Sequence, residues 1–255
     1  MVPACTFSEY TTSALVMAAQ VKKVPMTKDW SPDLEAMLKE VDGNTKACYI
    51  TNPNNPTGTL IPKADIEAFM DRLPERVLLF LDEAYFEYAD DQNYSDMNKW
   101  IAEDRRIIVL RTFSKIYGLA GLRIGYALAP APIIDIMERV RLPFNTSLIA
   151  QAAAISALDD REHVANSRKS NSECKQYLYR EFEAMGIYYT PTNANFIWFD
   201  SQRDCVKVFN DLMKLGVIVR SGNIFGAPTF LRVTVGTMEE CKKFVRALRT
   251  VLGKE

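Results

Sequence analysis

The chain has 255 residues, of which 48% are hydrophobic and 25% are charged, and its formal net charge is -1 at pH 7. This composition is typical of a globular protein with one large domain or two smaller ones. Balanced charge and dispersed basic residues argue against nucleic acid or a membrane surface as a partner, and no apolar run approaches the ~20 residues of a membrane span.

Strand-like and helix-like segments alternate through the first half of the chain. Ser31 and Pro32 indicate the start of a helix, since serine favours the cap position and proline the first turn. Pro62 opens a second helix, whose apolar residues recur at helical spacing. Uninterrupted apolar runs predict buried strands at residues 47–51, 77–82 and 107–113. Buried strands separated by helices predict an α/β fold with a mainly parallel sheet covered on both faces.

The pattern changes after Ala150. Residues 147–185 are predicted to be mostly helical, and a last helix begins near Glu239. Shorter strands are predicted at 196–200, 217–220 and 230–235, with a helix near 203–215 between the first two. We therefore expect a large domain over residues 1–160 and a small C-terminal α/β domain over residues 161–255.

The cysteines and the single histidine limit the compartment and the kinds of site that the sequence allows. The five cysteines are widely spaced without a CxxC pair, which favours a reducing cytoplasm and thiols that are buried or idle. The start, MVPACTFSEY, lacks the basic and apolar regions of a secretory signal, so we expect a cytoplasmic protein. The single histidine, His163, is expected on a helix surface, and no metal site is predicted.

Polar side chains follow two of the predicted strands. In VLLFLDEAY, Asp82 ends a strand and Tyr85 comes three residues later, while NPNNPTG places Asn55 in a strongly bent loop after another strand. Taken alone, an aspartate at a strand end such as Asp82 more often caps the next turn than binds a ligand. In a parallel α/β sheet, however, ligands bind beyond the carboxyl ends of the strands, where this carboxylate would hold a cationic ring nitrogen.

A lysine follows the third strand, in VLRTFSKIYGLAGLRIGY. Desolvation at the mouth of a sheet lowers the pKa of a lysine, which makes Lys115 a candidate Schiff-base amine, although most lysines simply reach into solvent. Thr112 and Ser114 supply hydroxyls and Arg123 supplies a guanidinium among glycines, which together suit a phosphate. The combined pattern predicts an aldehyde cofactor that has a phosphate, a pyridine ring and a phenolic oxygen.

These residues resemble the fold-type I pyridoxal-phosphate enzymes, and among them the class I and II aminotransferases. The resemblance covers essentially the whole chain and rests on three segments: residues 52–58 (NPNNPTG), residues 82–85 (DEAY) and residues 114–125 (SKIYGLAGLRIG). It implies the fold-type I α/β fold and pyridoxal 5'-phosphate as cofactor. It also implies that Lys115 forms the Schiff base and later moves the proton at the substrate α-carbon.

The resemblance assigns further roles around the cofactor. Asp82 pairs with the pyridinium nitrogen and keeps the ring an electron sink, while Asn55 and Tyr85 bond the 3-oxygen of the ring. Phe7 is the candidate for stacking on the ring, with core packing as the alternative. The phosphate is held by Thr112, Ser114 and Arg123.

Three residues of the second half are expected to meet the substrate. Arg232 lies inside the apolar run FLRVTV, where an unpaired charge is costly, so it needs an anionic partner. The resemblance implies that Arg232 binds the substrate α-carboxylate through its two-pronged guanidinium, with an internal salt bridge as the alternative. Arg220, in VIVRSG, is expected to meet a second anionic group, and Asn195 is expected near the carboxylate.

Within the family, the motifs look most like histidinol-phosphate aminotransferases of histidine biosynthesis. That likeness implies a homodimer that uses a small amino donor and a 2-oxo acid, with neither nucleic acid nor membrane as a partner. Aromatic amino-acid aminotransferases and threonine-phosphate decarboxylases remain alternatives, as does a non-catalytic homologue. A nucleotide-binding Rossmann domain is disfavoured, since no GxGxxG follows a first strand.

The resemblance also carries an expectation about the start of the chain. Members of the family have a substantial segment before the point that corresponds to Met1, with the first strands and helices of the large domain and a loop that gives backbone amides to the cofactor phosphate. We therefore expect an incomplete large domain with an open sheet edge, weak cofactor binding and slow turnover.

Overall fold

A computed structural model describes residues 1–90 and 94–254 of the chain. The first half contains β1 (Val2–Pro3), α1 (Glu9–Val16), β2 (Lys23–Val24), α2 (Leu34–Glu40), β3 (Ala47–Thr51), α3 (Lys63–Arg72), β4 (Leu78–Asp82), α4 (Met97–Ala102), β5 (Ile107–Thr112), β6 (Gly125–Leu128) and α5 (Ala131–Val140). The second half contains α6 (Leu148–Asp159), α7 (Arg161–Ala184), β7 (Tyr189–Thr190), β8 (Phe196–Asp200), α8 (Cys205–Lys214), β9 (Arg220–Ser221), β10 (Phe230–Thr234) and α9 (Met238–Leu252).

The sheet of the first half has the order β3-β4-β5-β6. The first three strands are parallel, and β6 adds an antiparallel edge. Alternate residues of β3 and β4, including Ile50, Leu79 and Leu81, are fully buried together with Ile66 and Phe69 of α3. Helices cover one face of the sheet, and the apolar runs are stable as strands because their side chains are buried there. Since β3, β4 and β5 are parallel, they end at the same edge of the sheet.

The sheet of the second half has the order β7-β8-β10-β9 and is antiparallel throughout. β8 is buried on both faces from Phe196 to Phe199, and α7, α8 and α9 pack around it through a shared apolar cluster. Thr237 begins α9 with a capping box, in which its hydroxyl and the Glu240 side chain satisfy each other's backbone amides. All five cysteines are free and buried, as the sequence predicted.

Several sequence-based expectations need correction in detail. The cap of α2 is Asp33, whose carboxylate accepts from the Ala36 amide at 2.9 Å, rather than Ser31. A carboxylate next to the first turn also interacts favourably with the helix dipole, and Pro32 therefore precedes the helix instead of opening it. The strand expected at 217–220 shrinks to Arg220–Ser221, because β9 pairs with β10 only at that end.

The parallel arrangement expected for the first half is found in β3, β4 and β5 and in the two-stranded sheet of β1 and β2, whereas the sheet of the second half is antiparallel. The domain boundary at residue 160, where α7 begins one residue later, stays a prediction. Within the part of the chain that the structure describes, no helix has both the length and the apolar character to cross a membrane.

The loop after β3 joins the two sheets at Gly58. Gly58 has a φ of 75°, and its carbonyl accepts from the Asn193 amide at 2.9 Å. A Cβ at this position would lie 2.0 Å from Thr192 Oγ1. Within the second half, the Lys175 ammonium of α7 holds Thr192 by donating to its carbonyl at 3.0 Å. Glycine is therefore required both by the backbone angle and by the close approach of the second half.

Substituting Gly58→Ala is expected to lower the free energy of unfolding by about 2 kcal/mol or more, because the left-handed angle and the overlap with Thr192 both penalise a methyl group. Urea unfolding monitored by circular dichroism measures this change. Gly43→Ala is the matched control, since a Cβ there meets nothing within 4 Å, and it is expected to change stability by less than about 0.5 kcal/mol. Equal losses in both variants would contradict the assignment.

Candidate active site

The carboxyl ends of the three parallel strands bring the predicted site residues to one edge of the first sheet. The Asn52 amide, just beyond β3, donates to the Asp82 carbonyl at 2.8 Å, and the Glu83 amide donates to the Leu110 carbonyl at 2.8 Å. Asp82 therefore sits between the loop after β3 and the end of β5. Polar side chains gathered at this edge are positioned by the ladder itself, as in other ligand sites of α/β sheets.

Both oxygens of the Asp82 carboxylate are held. Oδ1 accepts from the Ala84 amide at 2.8 Å, and Oδ2 accepts from the phenol of Tyr10. Burial raises the pKa of Asp82, while the hydrogen bonds from Tyr10 and Ala84 and the charge of Lys115 oppose that rise. Because a carboxylate oxygen accepts more than one hydrogen bond, the anion keeps lone pairs for a further donor.

Lys115 follows β5 at the same edge. Its side chain is accessible to solvent, and its Nζ lies 5.3 Å from the centre of the Tyr85 ring. Desolvation lowers the pKa of Lys115, the positive charges of Arg232 and Arg123 lower it further, and Asp82 opposes them. An accessible amine with a lowered pKa carries more of the neutral, nucleophilic form than an ordinary lysine at the same pH.

Tyr85 faces the lysine from the turn after β4. It is buried and packs edge-on against Phe196 of β8, with ring centres 5.0 Å apart. Desolvation raises the pKa of Tyr85 to about 12, although the charge of Arg232 works in the opposite direction. The phenol therefore remains protonated at neutral pH and acts as a hydrogen-bond donor toward an oxygen in the site.

Arg232 enters the site from β10 of the second sheet. Its Nη1 donates to Asn55 Oδ1 at 2.5 Å, and its Cζ lies 4.9 Å from the centre of the Phe196 ring. Its Nε is buried without a partner, and none of the salt bridges among the described residues involves this arginine. The internal salt bridge considered as an alternative is therefore absent from this part of the molecule, and the guanidinium has unused donors for an anion.

The candidate phosphate residues precede and follow Lys115 in the chain. Thr112 Oγ1 accepts from the Ser114 amide at 3.0 Å, which leaves the threonine hydroxyl proton free to donate. Arg123 has a left-handed φ of 54°, donates to the Ala120 carbonyl at 2.6 Å and is exposed. Its positive charge contributes to the lowered pKa of Lys115.

The remaining candidates lie at the margin of this group. Phe7 is 36% exposed and meets the Tyr10 ring edge-on at 5.6 Å. Arg220 is exposed on β9, directly opposite Arg232 in the strand register, and its charge contributes to a lowered pKa of Arg232 after desolvation. The Asn195 side chain lowers the pKa of Tyr88, against the larger rise that burial causes. The roles of all the candidate residues stay predictions.

Sequence reasoning missed two residues of the site. Tyr10 bonds Asp82, and its only signal is a position three residues after Phe7, on the first turn of α1. Phe196 lies between Tyr85 and Arg232 and was assigned only to a strand. His163 lies exposed on α7 as expected, but its Nε2 also contacts the Ile116 carbonyl at 2.8 Å, beside Lys115.

Comparison with known proteins identifies relatives of the same architecture. The sequence profile of the family described as aminotransferase class I and II matches residues 1–248. Histidinol-phosphate aminotransferase of Moorella thermoacetica is 50% identical over 249 residues, which are 97% of this chain and 64% of that protein. The enzyme of the same name from Caldicellulosiruptor saccharolyticus is 42% identical over 97% of this chain and 69% of its own length.

A solved structure agrees with the sequence relatives. Histidinol-phosphate aminotransferase from Sinorhizobium meliloti, in complex with pyridoxal-5'-phosphate, superimposes with a TM-score of 0.92 at 29% identity, over 99% of this chain and 70% of that chain. The chain thus spans about two thirds of the length of these relatives.

Proposed function

Because the chain belongs to the class I and II aminotransferase family, we propose that it transfers an amino group from an amino-alcohol phosphate or amino acid to a 2-oxo acid, in the manner of histidinol-phosphate aminotransferases. Pyridoxal 5'-phosphate is the proposed cofactor. The observation that carries the proposal is the meeting of Lys115, Asp82 and Tyr85 from the first sheet with Arg232 from the second.

The residues present fit that cofactor. The accessible amine of Lys115 suits an aldehyde, the Asp82 carboxylate has lone pairs for a ring N–H, and the Tyr85 phenol donates to a ring oxygen. The hydroxyls of Thr112 and Ser114 and the Arg123 guanidinium suit a phosphate dianion. When bound, pyridoxal phosphate supplies the electron sink for the charge that develops at the substrate α-carbon.

Three side chains of the protein would supply proton transfer, carboxylate binding and exclusion of water. Lys115 Nζ, whose pKa is lowered chiefly by desolvation, would take the proton from the α-carbon of the amino donor, and in the second half-reaction it would give a proton to the α-carbon of the 2-oxo acid. Arg232 binds the α-carboxylate of glutamate or 2-oxoglutarate with the donors that the fold leaves unused. Phe196 covers the face of that guanidinium and limits the access of water to it.

Arg220 favours a phosphate-bearing amine as the second substrate. It lies opposite Arg232 in the register of β9 and β10, and it is exposed rather than neutralised within its own sheet. Two guanidinium groups side by side repel each other, and a dianionic phosphate relieves that repulsion more than a neutral aromatic side chain does. This argument favours histidinol phosphate over aromatic amino acids.

We further propose a homodimer in the cytoplasm. The exposed apolar side chains of α5, α6 and the segment between them support association with a second copy, since a patch of this kind is rarely left in water. They include Ile136, Val140, Leu142, Phe144, Leu148 and Ile149. The free, buried cysteines are compatible with a reducing compartment.

The proposal is tested by incubating the purified chain with pyridoxal phosphate, 2-oxoglutarate and L-histidinol phosphate, and by measuring glutamate formation. Histidinol phosphate is expected to give a higher kcat/KM than phenylalanine, tyrosine or threonine phosphate. Release of carbon dioxide from threonine phosphate would identify a decarboxylase instead. Cofactor binding without amino transfer from any of these amines would identify a non-catalytic homologue.

A further inference from the structure

Tyr10 is anchored in a column of aromatic rings that stands on the first sheet. Its ring stacks on Tyr49 with centres 5.0 Å apart and planes at 22°. Tyr49 stacks in turn on Phe80 at 4.3 Å and 14°, and these two residues are direct partners in the register of β3 and β4. The sheet therefore fixes the ring, and through the ring it fixes where the phenol oxygen lies.

The phenol oxygen joins a chain of polar groups that ends on the site carboxylate. Tyr10 Oη donates to Asp82 Oδ2, and the hydroxyl of Thr51, at the end of β3, acts on the same phenol by lowering its pKa. Thr51 Oγ1 lies 3.3 Å from Thr6 Oγ1, which donates to Asn54 Oδ1 at 2.9 Å. The loop before α1, the end of β3 and the end of β4 are thus tied together at Asp82.

We propose that Tyr10 is the positioning residue for Asp82: its phenol fixes the rotation of the carboxylate and holds it as an anion, ready for a cationic heterocyclic N–H. The Ala84 amide approaches Oδ1 and the phenol approaches Oδ2, so the plane of the carboxylate is set from both ends. This inference rests on the proposed function, because the cation that it prepares for is the pyridinium ring of pyridoxal phosphate.

Burial and the neighbouring polar groups act on the pKa of both partners. Burial raises the pKa of Tyr10, and both the charge of Asp82 and the hydrogen bond to it raise it further, whereas the Thr51 hydroxyl lowers it. Burial is the largest influence on Asp82 and raises its pKa, while the hydrogen bonds from Tyr10 and Ala84 and the charge of Lys115 favour its anion. The phenol of Tyr10 therefore keeps its proton and donates the hydrogen bond that Asp82 Oδ2 accepts.

The first test compares Tyr10→Phe with Tyr49→Phe. Both changes keep the aromatic column, but only the first removes the hydroxyl that bonds Asp82. Tyr10→Phe is expected to weaken pyridoxal phosphate binding about 10-fold to 100-fold, as loss of a hydrogen bond to a charged group does, and Tyr49→Phe to change it less than about twofold. In Tyr10→Phe the ¹⁵N resonance of the bound cofactor's ring nitrogen is expected to move toward the unprotonated position.

Equal affinities and equal ¹⁵N shifts in the two variants would overturn the proposal. A wild-type chain that binds no pyridoxal phosphate would instead overturn the proposed function. The role of Tyr10 would then be decided by a measurement that needs no cofactor.

That second measurement follows the tyrosine ζ-carbon resonances of the cofactor-free protein with pH, in the wild type and in Asp82→Asn. Removing the carboxylate charge is expected to lower the pKa of Tyr10 clearly, because Asp82 raises it by two routes. The Tyr49 resonance in the same spectra is the internal control, since desolvation alone accounts for the raised pKa of Tyr49. A Tyr10 titration that is unchanged in Asp82→Asn would refute the pairing and with it the positioning role.

Discussion

Replacing Lys115 with alanine is expected to reduce kcat/KM for histidinol phosphate by about 10³-fold or more, since under the proposed function it removes both the amine that meets the cofactor and the base at the α-carbon. The fold should survive the change, because the Lys115 side chain is accessible at the edge of the sheet. Lys46→Ala is the control for loss of one lysine. Lys46 is also exposed, but it precedes β3 at the opposite end of the same sheet.

A covalent readout separates the role of the lysine from the activity. Borohydride reduction with pyridoxal phosphate is expected to attach the pyridoxyl group to Lys115 in the wild type and in Lys46→Ala, and to leave Lys115→Ala unmodified at that position. Peptide mass spectrometry identifies the modified residue. Modification spread evenly over the surface lysines, with no preference for Lys115, would contradict the assignment.

The pKa shift of Lys115 predicts the direction in which the pH dependence of pyridoxyl labelling moves. Desolvation and the charges of Arg232 and Arg123 lower the pKa of Lys115, so the neutral amine becomes available at a lower pH than in a free lysine. Pyridoxyl labelling at Lys115 is therefore expected to reach half of its maximum at a lower pH than labelling of lysine in a short peptide. Arg123→Gln removes one of the two positive charges that lower the pKa of Lys115. The midpoint of labelling is therefore expected to move to a higher pH.

The sequence predicted the strands that carry the site better than the contacts within the site. Residues 47–51, 77–82 and 107–113 are apolar runs whose burial decides their structure, and β3, β4 and β5 follow them closely. Their carboxyl ends must then meet at one edge, and the sequence alone therefore predicts that Asp82 and Lys115 lie at the same edge of the sheet. Here the local pattern and the fold agree because hydrophobic burial determines both.

The interactions that the sequence did not reveal depend on distant parts of the chain. Arg232 and Asn55 are separated by 177 residues, and no periodicity predicts which amide a guanidinium will meet. Tyr10 and Asp82 are 72 residues apart, and the column of Tyr49 and Phe80 that joins them exists only once β3 and β4 are in register. Ser31 and Asp33 are both residue types that favour the N-cap of a helix, and in the structure Asp33 is the cap of α2.

Replacing Arg232 with glutamine is expected to lower kcat/KM for 2-oxoglutarate by about 10²-fold or more, because the carboxylate of the oxo acid loses its charged partner. Arg220→Gln is expected to raise the KM for histidinol phosphate more than the KM for 2-oxoglutarate, since Arg220 is assigned to the second anion. Arg246→Gln, on the exposed side of α9, is the control for loss of one arginine charge. Equal effects of Arg232→Gln and Arg246→Gln would exclude a binding role for Arg232.

Stability measurements on Arg232→Gln distinguish binding from structure. The Arg232 guanidinium is half-buried, burial lowers its pKa, and its Nε lacks a partner, so within the described residues the native chain gains little from this charge. The glutamine variant is therefore expected to unfold at the same or a higher urea concentration than the wild type, while losing activity. A large loss of stability would mean that Arg232 stabilises the folded chain, and it would contradict a role in binding a substrate anion.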